Sequence, residues 1–122
     1  SVREGPQRIA KAQGGQAGPG QELLAGMILS NEPGYYKAGD FGIRTENLVL
    51  VEPRDIPGME GEYFGFETLT FAPIDRTLVD CALLTRDEVT WWNDYHAQVE
   101  AILAPQLSGA ALEWLKTACA PL

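Results

Sequence analysis

The chain has 122 residues, an ordinary length for one domain, and its 45% apolar and 21% charged content argues against a disordered segment. With 17 acidic against 9 basic residues the formal charge is −8, which argues against a partner recognised through phosphate or anionic lipid, so neither nucleic acid nor a membrane is expected. Cys81 and Cys119 stand without a CxxC motif or a Cys/His cluster, so free thiols in a reducing, cytoplasmic compartment are expected, and no apolar run reaches the roughly 18 residues of a membrane helix.

The opening Ser1-Val2-Arg3-Glu4-Gly5-Pro6 has no signal-peptide pattern and reads as the interior of a longer protein. Residues 11–21, rich in Gly and Gln, predict a flexible loop. Gly26 to Ser30 reads as a short buried strand. Asn31-Glu32-Pro33-Gly34 reads as a turn, with Pro33 in its second position and Gly34 free to take positive φ. A second turn is expected at Lys37 to Asp40, then strands over Phe41 to Arg44 and Glu46 to Val51. Pro53 to Gly61 reads as a connection. Tyr63 to Phe71 reads as a further strand, with Phe64, Phe66, Leu69 and Phe71 as its apolar content.

Past Asp75 the pattern becomes helical. Thr85-Arg86-Asp87-Glu88 is a capping box. Trp92, Tyr95, Val99, Ile102 and Leu103 then mark one face of an amphipathic helix ending near Pro105. Ser108 is placed to cap a shorter helix carrying Ala111, Leu112, Leu115 and Cys119. Antiparallel strands followed by a helical hairpin make an α+β chain.

Glu32 and Glu46 stand out in the strand region. Each sits at a strand edge or turn beside residues that normally lie inside, Leu29 and Pro33 for one, Ile43 and Leu48 for the other. Two carboxylates so placed could face each other across a hairpin, and Arg44, two residues before Glu46, falls on the same strand face. Such a trio suits either a hard divalent cation or an ion-pair network, and spacing alone leaves both open.

The literal residues add to this. Met27-Ile28-Leu29-Ser30-Asn31-Glu32-Pro33-Gly34-Tyr35-Tyr36, followed by Phe41-Gly42-Ile43-Arg44-Thr45-Glu46-Asn47-Leu48-Val49-Leu50-Val51, resembles the terminal active-site hairpin of aminopeptidase P, a metallopeptidase of family M24 with the pita-bread fold. Glu4-Gly5-Pro6 resembles the segment before it. Phe66-Glu67-Thr68-Leu69-Thr70, Asn93-Asp94-Tyr95-His96 and Glu113-Trp114-Leu115 resemble the C-terminal extension of the larger, cytosolic type. The resemblance implies a partial catalytic domain over 1–75 and a helical extension over 76–122. It implies an enzyme that removes an N-terminal residue from peptides with proline in second position. In that family two Asp, one His and two Glu hold two divalent ions, commonly manganese, with zinc or cobalt as alternatives. By resemblance Glu32 binds one ion, Glu46 bridges both, and Arg44 orients the carboxylates from behind.

Two departures bear on the activity. The Asp and His ligands belong upstream and are not in this chain, so the chain alone is expected to be inactive and its site empty. Arg3 stands where the family places a His before Glu-Gly-Pro; a guanidinium stays protonated and cannot act as general base, although it can donate hydrogen bonds to an oxyanion. The alternative reading is a non-catalytic folding or dimerisation module, or a pseudo-enzyme chain. Trp91 beside Trp92 suggests a homodimer surface in the helical tail, where the family makes dimer contacts. The single histidine, His96, is expected to pack or cap within a helix. The Gly-rich run 14–20 lacks the order of a phosphate loop, and Ser30 and Ser108 lack the context of an acyl-transfer nucleophile.

Overall fold

The computed structural model describes residues 22–122. Arg3, Glu4-Gly5-Pro6 and the loop expected over 11–21 lie outside the described residues. The chain divides between Thr70 and Phe71 into two compact units.

Among the described residues, the regular elements of the first unit are all strands. β1 (Ile28–Asn31) and β5 (Tyr63–Thr68) flank β4 (Asn47–Arg54) in an antiparallel sheet of order β1-β4-β5, and β2 (Gly34–Tyr36) pairs antiparallel with β3 (Gly42–Arg44). The pairs Asn31↔Asn47 and Gly34↔Arg44 keep one register. The two ladders are therefore halves of one long hairpin, interrupted at Glu32-Pro33 on one arm and Thr45-Glu46 on the other. Pro33 explains the interruption: it has no N–H to give the ladder, while its carbonyl still accepts from the Thr45 N–H at 3.2 Å.

The turn expected at Asn31 to Gly34 is thus a break within a strand arm, and Gly34 does not take positive φ. Glycine is needed there for space, since a Cβ would lie 2.9 Å from Tyr36 Oη and 3.0 Å from the Ile43 carbonyl oxygen. The second expected turn is present. Lys37 N–H bonds to Phe41 O at 2.8 Å, Gly39 supplies φ of +73°, and Lys37 pairs with Asp40 at 2.6 Å.

β4 runs through Pro53, where the sequence pattern placed a connection. The Val51 N–H points to the β1 side, bonding Met27 O at 2.8 Å, so alternation aims the Pro53 nitrogen to that side too. β1 begins only at Ile28, opposite Leu50, and offers nothing for Pro53 to bond. β5 stops at Thr68, short of Phe71. Leu69 N–H still reaches Leu48 O at 2.9 Å, but the Leu48 N–H turns to Thr70 Oγ1 at 3.0 Å, and this side-chain substitute ends the ladder.

Leu29, Val49 and Val51 form the buried core of the sheet, with Leu23 and Met27 against it. Phe64 and Phe66 share that face by register but stay 42% and 47% exposed.

The second unit begins at Phe71. Two 3-10 turns, Arg76–Leu78 and Cys81–Leu83, are capped by Asp75 and Asp80, whose carboxylates accept from Thr77 N–H and Ala82 N–H at 3.0 Å each. α1 (Arg86–Leu103) and α2 (Gly109–Ala118) follow, joined through a third turn at Ala104–Gln106. The capping box is formed as expected. Thr85 Oγ1 accepts the Glu88 N–H at 3.3 Å, and Glu88 Oε2 accepts from Thr85 N–H at 2.8 Å and from its hydroxyl at 2.9 Å. Ser108 holds the N-cap position of α2 without a side-chain cap bond, and Gly109 after it takes φ of +56°.

Tyr95 and Val99 from α1 bury against Leu115 and Cys119, with Phe71, Ile74, Leu103 and Leu107 around them. Ile102 and Ala111, expected on this core, are exposed. His96 is fully buried: its Nε2 accepts from the Ile74 N–H at 3.1 Å, and its Nδ1 lies 2.8 Å from the Trp92 carbonyl. The first bond needs a bare Nε2 and the second a hydrogen on Nδ1, so the pair defines the neutral Nδ1–H tautomer.

Candidate functional site

The break in the hairpin places the two acidic residues. In the register that runs from Asn31↔Asn47 to Gly34↔Arg44, Glu32 falls opposite Glu46. Residues two apart on a strand share a face, so Glu32, Gly34 and Tyr36 line up on one arm against Gly42, Arg44 and Glu46 on the other.

Arg44 joins the pair. Its Nη1 lies 3.1 Å from Glu32 Oε2 and its Nη2 3.2 Å from Glu46 Oε2, so one guanidinium fork spans both carboxylates. A single cation between two anions offsets their mutual repulsion and fixes their spacing. A lysine ammonium has no fork with which to do both. The sequence expectation placed Arg44 and Glu46 on one face, and they are in contact there.

The three side chains are 41–48% exposed, so this is an open cluster and not a buried ion pair. Surface ion pairs of this kind contribute about 0–1 kcal/mol to stability. Oxygen-only donors on a common face suit a hard divalent cation. Among the described residues no group of three or more His, Cys, Asp or Glu is gathered to hold a metal, so Glu32 and Glu46 are at most part of a coordination sphere.

Two neighbours share this face: Ser30, which the sequence did not place here, and Tyr36, which was expected only to pack or hydrogen-bond near the hairpin. Ser30 Oγ donates to Glu32 Oε1 at 3.1 Å, so both oxygens of that carboxylate are held. The signal was available: Ser30 lies two residues before Glu32, on the same strand face. Tyr36 lies flat along the ribbon, and a Cβ on Gly42 would sit 2.7 Å from its Cδ1. Two glycines thus clear the path of the Tyr36 ring over the face that carries the acidic pair, a feature visible only once the register is known. Beside Glu46, the Asn47 side chain bonds Thr70 Oγ1 at 2.8 Å and steadies the start of β4.

The other polar candidates lie elsewhere. His96 belongs to the interior of the helical unit. Cys81 is exposed on a 3-10 turn and Cys119 is buried. Burial pushes the Cys119 thiol above its ordinary value, and the Glu100 carboxylate adds to the effect. Among the described residues no helix is long and apolar enough to cross a membrane.

Residues 62–122 match the family model described as the C-terminal region of peptidase M24, and residues 1–53 match the model of metallopeptidase family M24. A probable Xaa-Pro aminopeptidase P of Coprinopsis cinerea is 44% identical over 100% of this chain and 20% of its own length. Aminopeptidase P2 of Arabidopsis thaliana is 45% identical over 100% of this chain and 17% of its own length. The crystal structure of an X-prolyl aminopeptidase from Caenorhabditis elegans, described as a cytosolic enzyme with a di-nuclear active site, superposes with a TM-score of 0.73 at 35% identity, over 85% of this chain and 18% of that one. The chain therefore spans about a fifth of the length of the relatives it matches. With its second half matched end to end and the hairpin half matched by the companion model, the chain belongs to metallopeptidase family M24.

Proposed function

We propose that this chain is the C-terminal part of a metal-dependent Xaa-Pro aminopeptidase, a cytoplasmic enzyme that hydrolyses the bond between an N-terminal residue and a following proline. In this reading residues 1–75 complete the catalytic domain and 76–122 form its helical extension. The observation that carries the reading is the opposition of Glu32 and Glu46 across the hairpin break, with Arg44 bonded to both.

Glu32 and Glu46 would hold two divalent ions, manganese by preference, with the other ligands contributed by the longer protein. When bound, the ions supply Lewis-acid polarisation of the scissile carbonyl and activation of water. Arg44 holds the two carboxylates at fixed spacing, and Ser30 orients Glu32 from the other side. Arg3, in the place of a family His, donates hydrogen bonds to developing negative charge and takes no part in proton transfer.

The test uses the longer protein. Glu46→Gln keeps the shape of the side chain and removes its charge. It should lower kcat on an Xaa-Pro peptide by at least about a hundredfold and reduce bound manganese, measured by elemental analysis, with unfolding unchanged. Full activity and full metal content in Glu46→Gln would sink the assignment. The 122-residue chain alone should not turn over an Xaa-Pro dipeptide in manganese buffer; turnover at an ordinary enzyme's rate would contradict the missing-ligand argument.

A second reading, a self-association module, rests on Trp91 and Trp114, which are 55% and 63% exposed in the helical unit while Trp92 beside Trp91 is buried. We propose that the extension also carries a homodimer contact. Light scattering should report a dimer, and Trp91→Ala should weaken it.

A further inference from the structure

Beyond the strand unit, the helical unit has a titratable group in an unusual position. His96 is the single histidine of the chain and is fully buried. Its two nitrogens serve different elements. Nδ1 holds the Trp92 carbonyl within α1, and Nε2 receives the Ile74 N–H from the segment that opens the unit. The same segment is tied to α1 through Tyr95 as well. Tyr95 Oη donates to Ala72 O at 2.9 Å and lies 3.4 Å from Ala72 N.

We propose that His96 is an acid-operated latch, holding Phe71 to Asp75 against α1 while its Nε2 is bare and releasing Ile74 when that nitrogen takes a proton. Protonation turns the acceptor into a donor. It then faces the Ile74 N–H with another N–H, so the bond is lost and a backbone donor is left unpaired in the interior. The cation that forms has no counter-ion, because no carboxylate pairs with His96 among the described residues.

The titratable groups around the ring do not relieve this. Tyr95 meets the imidazole edge-on at 5.4 Å. Trp92 stacks on it at 4.5 Å, with its own buried Nε1 lacking a hydrogen-bond partner. Asp75, next to Ile74, is spent on Thr77, accepting from its N–H at 3.0 Å and its hydroxyl at 2.7 Å. Glu100 lies one turn along α1 and faces Cys119 of the second helix. Protonation thus favours the released segment, and the effect runs one way: the latch is closed while Nε2 is bare and opens when it carries a proton.

One titration of the 122-residue chain by NMR tests this. As the chain has a single histidine, its imidazole carbon-bound proton gives one unambiguous signal. As pH falls, protection of the Ile74 amide against exchange should drop by roughly tenfold or more in the same pH step in which the His96 signal shifts, after correction for intrinsic rates. Val99 in α1 and Val51 in the sheet should keep their protection through the same step. Three outcomes overturn the latch: Ile74 stays protected while His96 titrates; Val99 and Val51 lose protection together with Ile74, which is global acid unfolding; or the Ile74 loss follows the Asp75 carboxyl signal. The last is separable because the bonds from Thr77, backbone first, hold the Asp75 carboxyl below the ordinary carboxylate range.

Discussion

Arg44 makes two contacts that only a planar fork can make at once, 3.1 Å to Glu32 and 3.2 Å to Glu46. Arg44→Lys keeps the charge and loses the geometry. In the isolated chain the change should move stability by less than about 1 kcal/mol, because the side chains are nearly half exposed and salt screens them. On the proposed function, the same change in the longer protein should weaken metal retention or kcat by about 10–100-fold, the effect expected of removing a group that orients ligands from behind. Urea unfolding of the chain and steady-state kinetics of the longer protein read the two effects separately. A large stability loss in the chain would mean that the trio is a structural clamp instead. Glu32, Glu46 and Arg44 stand out in the sequence as charged groups beside apolar strand residues, but spacing alone leaves a cation site and an ion-pair network both open, and their roles come from the resemblance. The sequence could not show that Ser30 and Tyr36 share their face, since that depends on a register that Pro33 interrupts.

Elements built on local chemistry were legible, and those shaped by the register between strands were less so. The α1 capping box reads directly from Thr85 and Glu88, and both halves of it form. Pro53, by contrast, looks like a strand breaker, yet β4 continues through it because its nitrogen faces the β1 side beyond the end of the β1 ladder. His96 packs within α1 as expected, four residues after Trp92 and three before Val99, but its partner Ile74 is distant in sequence and no helical period announces that bond. The capping box also yields a pH-dependent prediction. The Glu88 carboxyl is held below its ordinary value of 4.5, chiefly by the Thr85 N–H and then by the Thr85 hydroxyl. A carboxyl lowered on folding stabilises the fold above its unfolded value, and that contribution is lost as pH falls through the lowered value. Thr85→Ala should therefore cost about 1 kcal/mol near neutral pH, and the cost should shrink in acid as Glu88 protonates. Thermal melts of the two proteins at neutral pH and well below pH 4.5 measure this, and a constant gap across that range would show that Glu88 does not contribute.

At the scale of the whole chain, the α+β order, strands first and helices after, was readable because alternation gives way to a 3.6-residue period past Asp75. Among the described residues the candidate site is partial. Two oxygen-donor side chains leave most positions around a divalent ion to solvent, and tight binding needs several ligands fixed in advance. Arg44 occupies one oxygen of each carboxylate and opposes an incoming cation. The chain alone should therefore bind manganese with a dissociation constant of about a millimolar or weaker, measured by calorimetry or by loss of the free-ion EPR signal. Arg44→Met should tighten this weak binding a few-fold, since it removes a competing positive charge. If the proposed function holds, the sign should reverse in the longer protein, where the ions would supply the charge and Arg44 the alignment. Micromolar binding by the isolated chain would place a third donor within reach of Glu32 and Glu46 and would transfer to this segment a completeness that its described residues do not have.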